Sequence, residues 1–157
     1  MTILVINSGS SSLKFQVIDS ENEEVLAKGV CERIGIDGRF TYRTRTGISL
    51  KEAVPMKNHT QAVHTLLDTL ADPEKGVIKD FREIDVIGHR LVHGGEKFTG
   101  SVVITDEVTQ AMTECNDLAP LHNPANLVGV EACRKLMPDT LMVGVFDTAF
   151  HQTMPDY

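Results

Sequence analysis

The sequence predicts an α/β domain built on a central sheet, and three observations predict it. Two continuous apolar runs, Ile3–Ile6 and Leu141–Phe146, have the composition of strands buried on both faces. Other segments follow a period of two, as where Leu13, Phe15 and Val17 interleave with Lys14, Gln16 and Ile18. Two further stretches, around Ala62–Leu70 and Asn123–Arg134, place apolar residues at helical spacing. At 157 residues, 41% hydrophobic and 24% charged, the chain can bury a sizeable core as one domain or two small ones.

Composition also bounds function. A formal net charge of −7 without a Lys/Arg cluster argues against nonspecific nucleic-acid binding, which needs a basic face. An anionic small substrate would therefore need positive groups placed locally. Cys31, Cys115 and Cys133 are odd in number and widely spaced, so neither a disulfide framework nor a cysteine zinc site is implied. The expectation is reduced core thiols in a cytoplasmic protein. The first residues lack a basic leader and no apolar run reaches the length of a membrane span, so neither a targeting signal nor a membrane partner is expected.

The first strand runs into a polar patch, Asn7, Ser8, Gly9, Ser10, Ser11 and Ser12. Such a turn can offer backbone N–H groups and hydroxyls to an anion, and the return strand adds Lys14. The hairpin has the parts of a phosphate cradle, though an ordinary serine-rich hairpin has the same composition. It is not the glycine-rich loop that opens a helix with its lysine, because Lys14 lies on a strand. From Glu24 to Val54 several short strands follow: Val25–Cys31 can pair with the hairpin, and Phe40–Arg45 alternates bulky with basic residues after an Asp37-Gly38 turn. Alternation reads Arg43 and Arg45 as a solvated strand face. Asn58 or Thr60 can cap a helix whose apolar positions Ala62, Val63, Leu66, Leu67 and Leu70 form a core stripe ending before Asp72-Pro73.

Ile84–Gly95 reads as a strand stopped by Gly94-Gly95. Period two puts Gly88, Arg90 and Val92 on one face and Ile87, His89 and Leu91 on the other. A guanidinium beside a valine suits a small carboxylate with a short apolar tail, while a structural salt bridge is the plainer use of Arg90. His89 and His93 are four apart, a spacing that converges on a helix but separates residues by roughly 13 Å along a strand, so one metal cannot take both.

A short strand at Ser101–Thr105 leads into a helix from Asp106 to Cys115. In Ala119–Asn126, Asn123 is a good N-cap and Pro124 a good first helical residue, for a helix that stops before Pro138. His122 then precedes a helix N-terminus, where an imidazole can donate to a phosphate oxygen or simply pack in the entry loop. Leu121 beside it is a staple or a pocket wall. The second all-apolar strand ends on Asp147, as the first ends on Asn7, and ligands of open α/β sheets gather at such carboxyl ends. A carboxylate there, near a phosphate-cradling hairpin, suggests Mg²⁺ and phosphoryl transfer; a helix N-cap is the alternative for Asp147.

Four segments, VINSGSSSLKF, IGHRLVHGGEKF, APLHNPAN and VFDTAFHQTMP, resemble the signature segments of the acetate kinase family, in order and across nearly the whole chain. The resemblance implies a ribonuclease H-like (actin-like ATPase) α/β domain, its central mixed β-sheet flanked by helices. It implies reversible transfer of the ATP γ-phosphoryl group to acetate, giving acetyl phosphate and ADP, with Mg²⁺ or Mn²⁺ as cofactor and a homodimer in the full-length protein. Carried over by position, Asn7 would hold the metal, and Ser10, Ser12 and Lys14 would approach the nucleotide phosphates. Arg90 would bind the acetate carboxylate or the transferring phosphoryl group, with Val92 and Leu121 lining the methyl pocket. His122 would steady the phosphoryl oxygens, and Asp147 would be the catalytic carboxylate. Acetate is already ionised at neutral pH, so orienting the metal or polarising the site is the more useful task for Asp147.

Members of that family are much longer than this chain. The resemblance therefore implies that residues 1–157 are the N-terminal domain, the first half of a duplicated fold, with the second domain absent. Such a domain would carry half an active site and be inactive alone. Propionate kinase shares most of these motifs, and a non-catalytic anion-binding module is the alternative of a different class.

Overall fold

The computed structural model describes residues 1–91, 101–114 and 123–146. Eight strands form one mixed sheet: β1 (Thr2–Ser8), β2 (Leu13–Asp19), β3 (Glu24–Glu32), β4 (Arg39–Thr44), β5 (Ser49–Ala53), β6 (Val86–Leu91), β7 (Ser101–Val103) and β8 (Leu141–Phe146). Their spatial order is β5-β4-β3-β2-β1-β6-β8-β7. Among the described residues, helices α1 (His59–Leu70), α2 (Asp106–Glu114) and α3 (Asn123–Leu136) accompany the sheet, with a 3₁₀ turn at Phe81–Glu83. The antiparallel half, β1 to β5, is a meander joined by short turns, one of them at Gly38, whose φ of +69° needs a residue without a side chain. The parallel half, β1, β6 and β8, needs crossovers, and helices supply them.

Period two decides which side chains form the core. Leu4, Ile6, Leu13, Phe15 and Val17 share a face with Ile87 and Leu91, and all are buried. Phe15, Phe40 and Tyr42 stack on that face, with ring centroids 6.1 Å apart from Phe15 to Phe40 and from Phe40 to Tyr42. Helices α1 and α3 pack on this side: Ala62, Val63, Leu66, Leu67 and Leu70 of α1 and Val130 and Cys133 of α3 join the same core. The helix predicted from the Ala62–Leu70 stripe forms with Asn58 as its N-cap, its side-chain oxygen accepting the Gln61 N–H at 2.9 Å. Cys31 and Cys133 are buried free thiols, as expected, and burial pushes both up to about 12. Cys115 lies outside the described residues.

The apolar runs are corrected in one respect. They predict burial on both faces, yet Ile3 and Val5 are half-buried and Leu141 is 48% exposed. Among the described residues α1 and α3 cover the Leu4 and Ile6 face, and the opposite face of β1 to β4 carries an open cleft.

Candidate active site

The cleft is built by register. Asn7 pairs directly with Lys14 across the β1–β2 hairpin. On its other side β1 runs parallel to β6 with Ile6 opposite His89, so the next residue, Arg90, falls beside Asn7. Strands about 4.8 Å apart thus set Lys14 and Arg90 about 10 Å from each other with Asn7 between. The sequence placed Arg90 and Gly88 on the face opposite Ile87, His89 and Leu91; the burial pattern of β6 alternates in that way. The resulting cleft has a volume of about 540 Å³. Its polar walls are Asn7, Lys14, Gln16, Lys28, Thr41, Arg43 and Arg90, and no described lining residue is a carboxylate. Arg43 is exposed, as its alternation predicts, and contributes to this wall, whereas Arg45 is ion-paired with Glu24. In a chain of net charge −7, the four cations among the described residues of this concavity make a local anion-attracting field.

The turn that caps this end of the sheet is tight: the Gly9 N–H donates to the Ser12 carbonyl at 2.8 Å. Ser10 is exposed and Ser12 half-buried, and both sit at the tip of the hairpin, outside the lining of the cleft. Two side chains that sequence reasoning passed over fasten this turn from beneath. Asn126 of α3 donates from Nδ2 to the Ser8 carbonyl at 3.0 Å, and the His59 ring contacts the Gly9 carbonyl through Nε2 at 2.7 Å. Gly129 lets α3 approach, since a Cβ there would stand 2.6 Å from the Ser8 Cβ. These contacts bring the first turns of α3 to the carboxyl ends of the parallel strands. The signals were an Asn within APLHNPAN and a His at a helix start, neither interpretable without knowing which turn lies opposite.

His89 points the other way, into the core beside α3. It is 3% exposed, its Nε2 has no hydrogen-bond partner among the described residues, and burial, with Arg134 adding repulsion, depresses it to about 3, so it is neutral. Val92, His93, Leu121, His122 and Asp147 lie outside the described residues. The residues brought together are therefore Asn7, Lys14 and Arg90, with Ser10 and Ser12 on the adjoining turn.

Among the described residues no group of three His, Cys, Asp or Glu could hold a metal ion. The one oxygen donor of the Asn7 amide fits an ion held mainly by water and phosphate oxygens, the habit of Mg²⁺, and does not fit an all-protein cage.

The mixed sheet with parallel β1, β6 and β8 beside an antiparallel meander, flanked by helices, defines the class: an α/β domain of the ribonuclease H-like, actin-like ATPase fold. The sequence profile described as the Acetokinase family matches residues 2–157, and the chain belongs to that family. It is 61% identical over 158 residues to the acetate kinase of Agathobacter rectalis, covering 99% of this chain and 39% of that protein. It is 58% identical over 157 residues to the acetate kinase of Thermoanaerobacterium thermosaccharolyticum, covering 100% of this chain and 39% of the relative. The crystal structure of Porphyromonas gingivalis acetate kinase superposes with a TM-score of 0.91 at 49% identity, over 98% of this chain and 39% of that one. A propionate kinase from Francisella tularensis superposes with a TM-score of 0.85 at 36% identity, over 98% of this chain and 38% of that one. The chain thus spans about 39% of the length of the curated relatives it matches.

Proposed function

We propose that residues 1–157 are the N-terminal domain of an acetate kinase and supply the acetate and phosphoryl half of its site, the second domain supplying the rest. The observation that carries this reading is the cleft in which register sets Lys14 and Arg90 on either side of Asn7. In the reaction, an oxygen of acetate forms a bond to the γ-phosphorus of ATP, the bond from that phosphorus to the β,γ-bridging oxygen breaks, and ADP leaves with that oxygen. Acetate arrives ionised, so no proton must be removed. The difficulty is repulsion between carboxylate and phosphoryl group, and catalysis is alignment plus neutralisation of charge.

In this reading Arg90 takes the carboxylate or the transferring phosphoryl oxygens as a fork. Lys14 and the Ser10 and Ser12 groups meet the nucleotide phosphates, and His122 steadies the phosphoryl oxygens. Val92 and Leu121 enclose the methyl group, and Asp147 is the catalytic carboxylate that orients the metal or polarises the site. Asn7 would hold Mg²⁺, which when bound neutralises phosphate oxygens. Acetate is favoured over propionate because curated relatives at 57–61% identity across this chain are named acetate kinase. The family homodimer, the cytoplasmic location and the inactivity of this chain by itself belong to the same proposal.

The test is calorimetric titration of acetyl phosphate into this chain and into Arg90→Ala, with acetate-dependent ADP formation from Mg-ATP followed in parallel. The expected result is weak binding, reduced at least tenfold in Arg90→Ala, with no turnover by the chain alone. Equal affinity in the two proteins would remove Arg90 from the site, and turnover by this chain would contradict the half-site.

A further inference from the structure

The hairpin tip is fastened by two carbonyls in succession, Ser8 to Asn126 and Gly9 to His59, from side chains on different helices. We propose that His59 is a positioning residue whose ring fixes the Gly9–Ser10 peptide so that the Ser10 N–H faces outward as an anion donor. The inference rests on the reading of the hairpin as a phosphate-binding turn.

A carbonyl only accepts, so the 2.7 Å contact requires the proton on His59 Nε2. His59 is 7% exposed, which leaves little water to compete for that bond. It is the first residue of α1, and Asn58 caps the helix there, so the backbone that carries the ring is fixed. The Gly9–Ser10 peptide is trans, and in a trans peptide the C=O and the following N–H point in opposite directions. Drawing the Gly9 oxygen inward to α1 turns the Ser10 N–H away from the core, on a residue that is exposed. The preceding donor is spent within the turn, because the Gly9 N–H is bonded to the Ser12 carbonyl. Of the Gly9 and Ser10 amides, the one that can meet a phosphate oxygen is therefore the one whose direction His59 sets. Rotation of that peptide would aim a carbonyl at the anion instead of an N–H.

The experiment is ¹H–¹⁵N NMR of the 157-residue chain, with inorganic phosphate titrated into wild type, His59→Leu, His59→Gln and Arg90→Ala. Phosphate is expected to shift the Ser10 amide of wild type. Affinity should fall at least tenfold in His59→Leu, which has no donor, and stay within about threefold in His59→Gln, whose amide can donate to the same carbonyl. Ring-current-shifted signals of the Phe15, Phe40 and Tyr42 stack report whether each variant keeps the fold. If His59→Leu does not fold, two results stand in its place: ring ¹⁵N shifts of wild type must show a protonated Nε2, and folded His59→Gln must bind phosphate. An unprotonated Nε2, a tenfold loss in folded His59→Gln, or unchanged affinity in folded His59→Leu overturns the inference. Unchanged affinity in His59→Leu with a loss in Arg90→Ala leaves the site standing without His59, whereas a wild-type chain that binds no phosphate overturns both.

Discussion

Neighbours on β6, Arg90 and His89 show how one residue of offset along a strand decides chemistry. Arg90 faces the cleft, and His89 faces the core under α3. This division was legible, because strand period two needs only the sequence. Burial makes His89 a pH liability: its folded value is about 3, below the ordinary value near 6.5 of the unfolded chain. Stability from keeping it neutral is fully present above about pH 6.5 and is lost as pH falls from there towards 3, because the unfolded chain binds the proton first. At about 1.4 kcal/mol per pH unit, the loss between pH 6.5 and 4.5 is on the order of 2–3 kcal/mol. Urea unfolding across that range should show this slope in wild type and a flatter one in His89→Leu; parallel slopes would mean that His89 does not titrate on unfolding. Cys31 and Cys133, pushed up to about 12 in the core, should stay unlabelled by a thiol reagent until the chain unfolds.

Among the elements, α1 was read from its stripe residue by residue, and the hairpin from its polar turn between apolar runs. Asn58→Ala should cost about 1 kcal/mol, seen as a lower urea midpoint, since it removes the acceptor for the Gln61 N–H. What local pattern could not supply is which helix end meets which turn. The Asn126 contact to Ser8 spans 118 residues and the His59 contact to Gly9 spans 50, so no periodicity reports them. The apolar runs likewise announced hydrophobicity but not the partner on each face, hence the half-buried Ile3 and Val5. Gly129 separates intrinsic preference from packing. In an exposed helix Gly→Ala stabilises by up to about 1 kcal/mol, whereas here the new Cβ meets Ser8 and the change should destabilise by about 1–3 kcal/mol. Adding Ser8→Gly should recover part of that loss in a double-mutant cycle; purely additive effects would place the strain elsewhere.

At the scale of the molecule, an acidic chain concentrates cations on one concave sheet face, and the parallel strands β1 and β6 deliver Asn7 and Arg90 to it. The fold follows from the alternation of strands and helices, and the charge of the cleft from strand register. The span of about 39% of its relatives makes the half-site the central claim. A chimera tests it most directly: this chain replacing the matching segment of the Porphyromonas gingivalis acetate kinase, with and without Arg90→Ala, assayed for acetate-dependent ADP formation from Mg-ATP. The account predicts turnover by the chimera and a loss of about 100-fold or more in kcat/KM for Arg90→Ala, of the order of 3 kcal/mol in transition-state stabilisation. A folded chimera without acetate-dependent turnover, or an Arg90→Ala chimera as active as its parent, would contradict it.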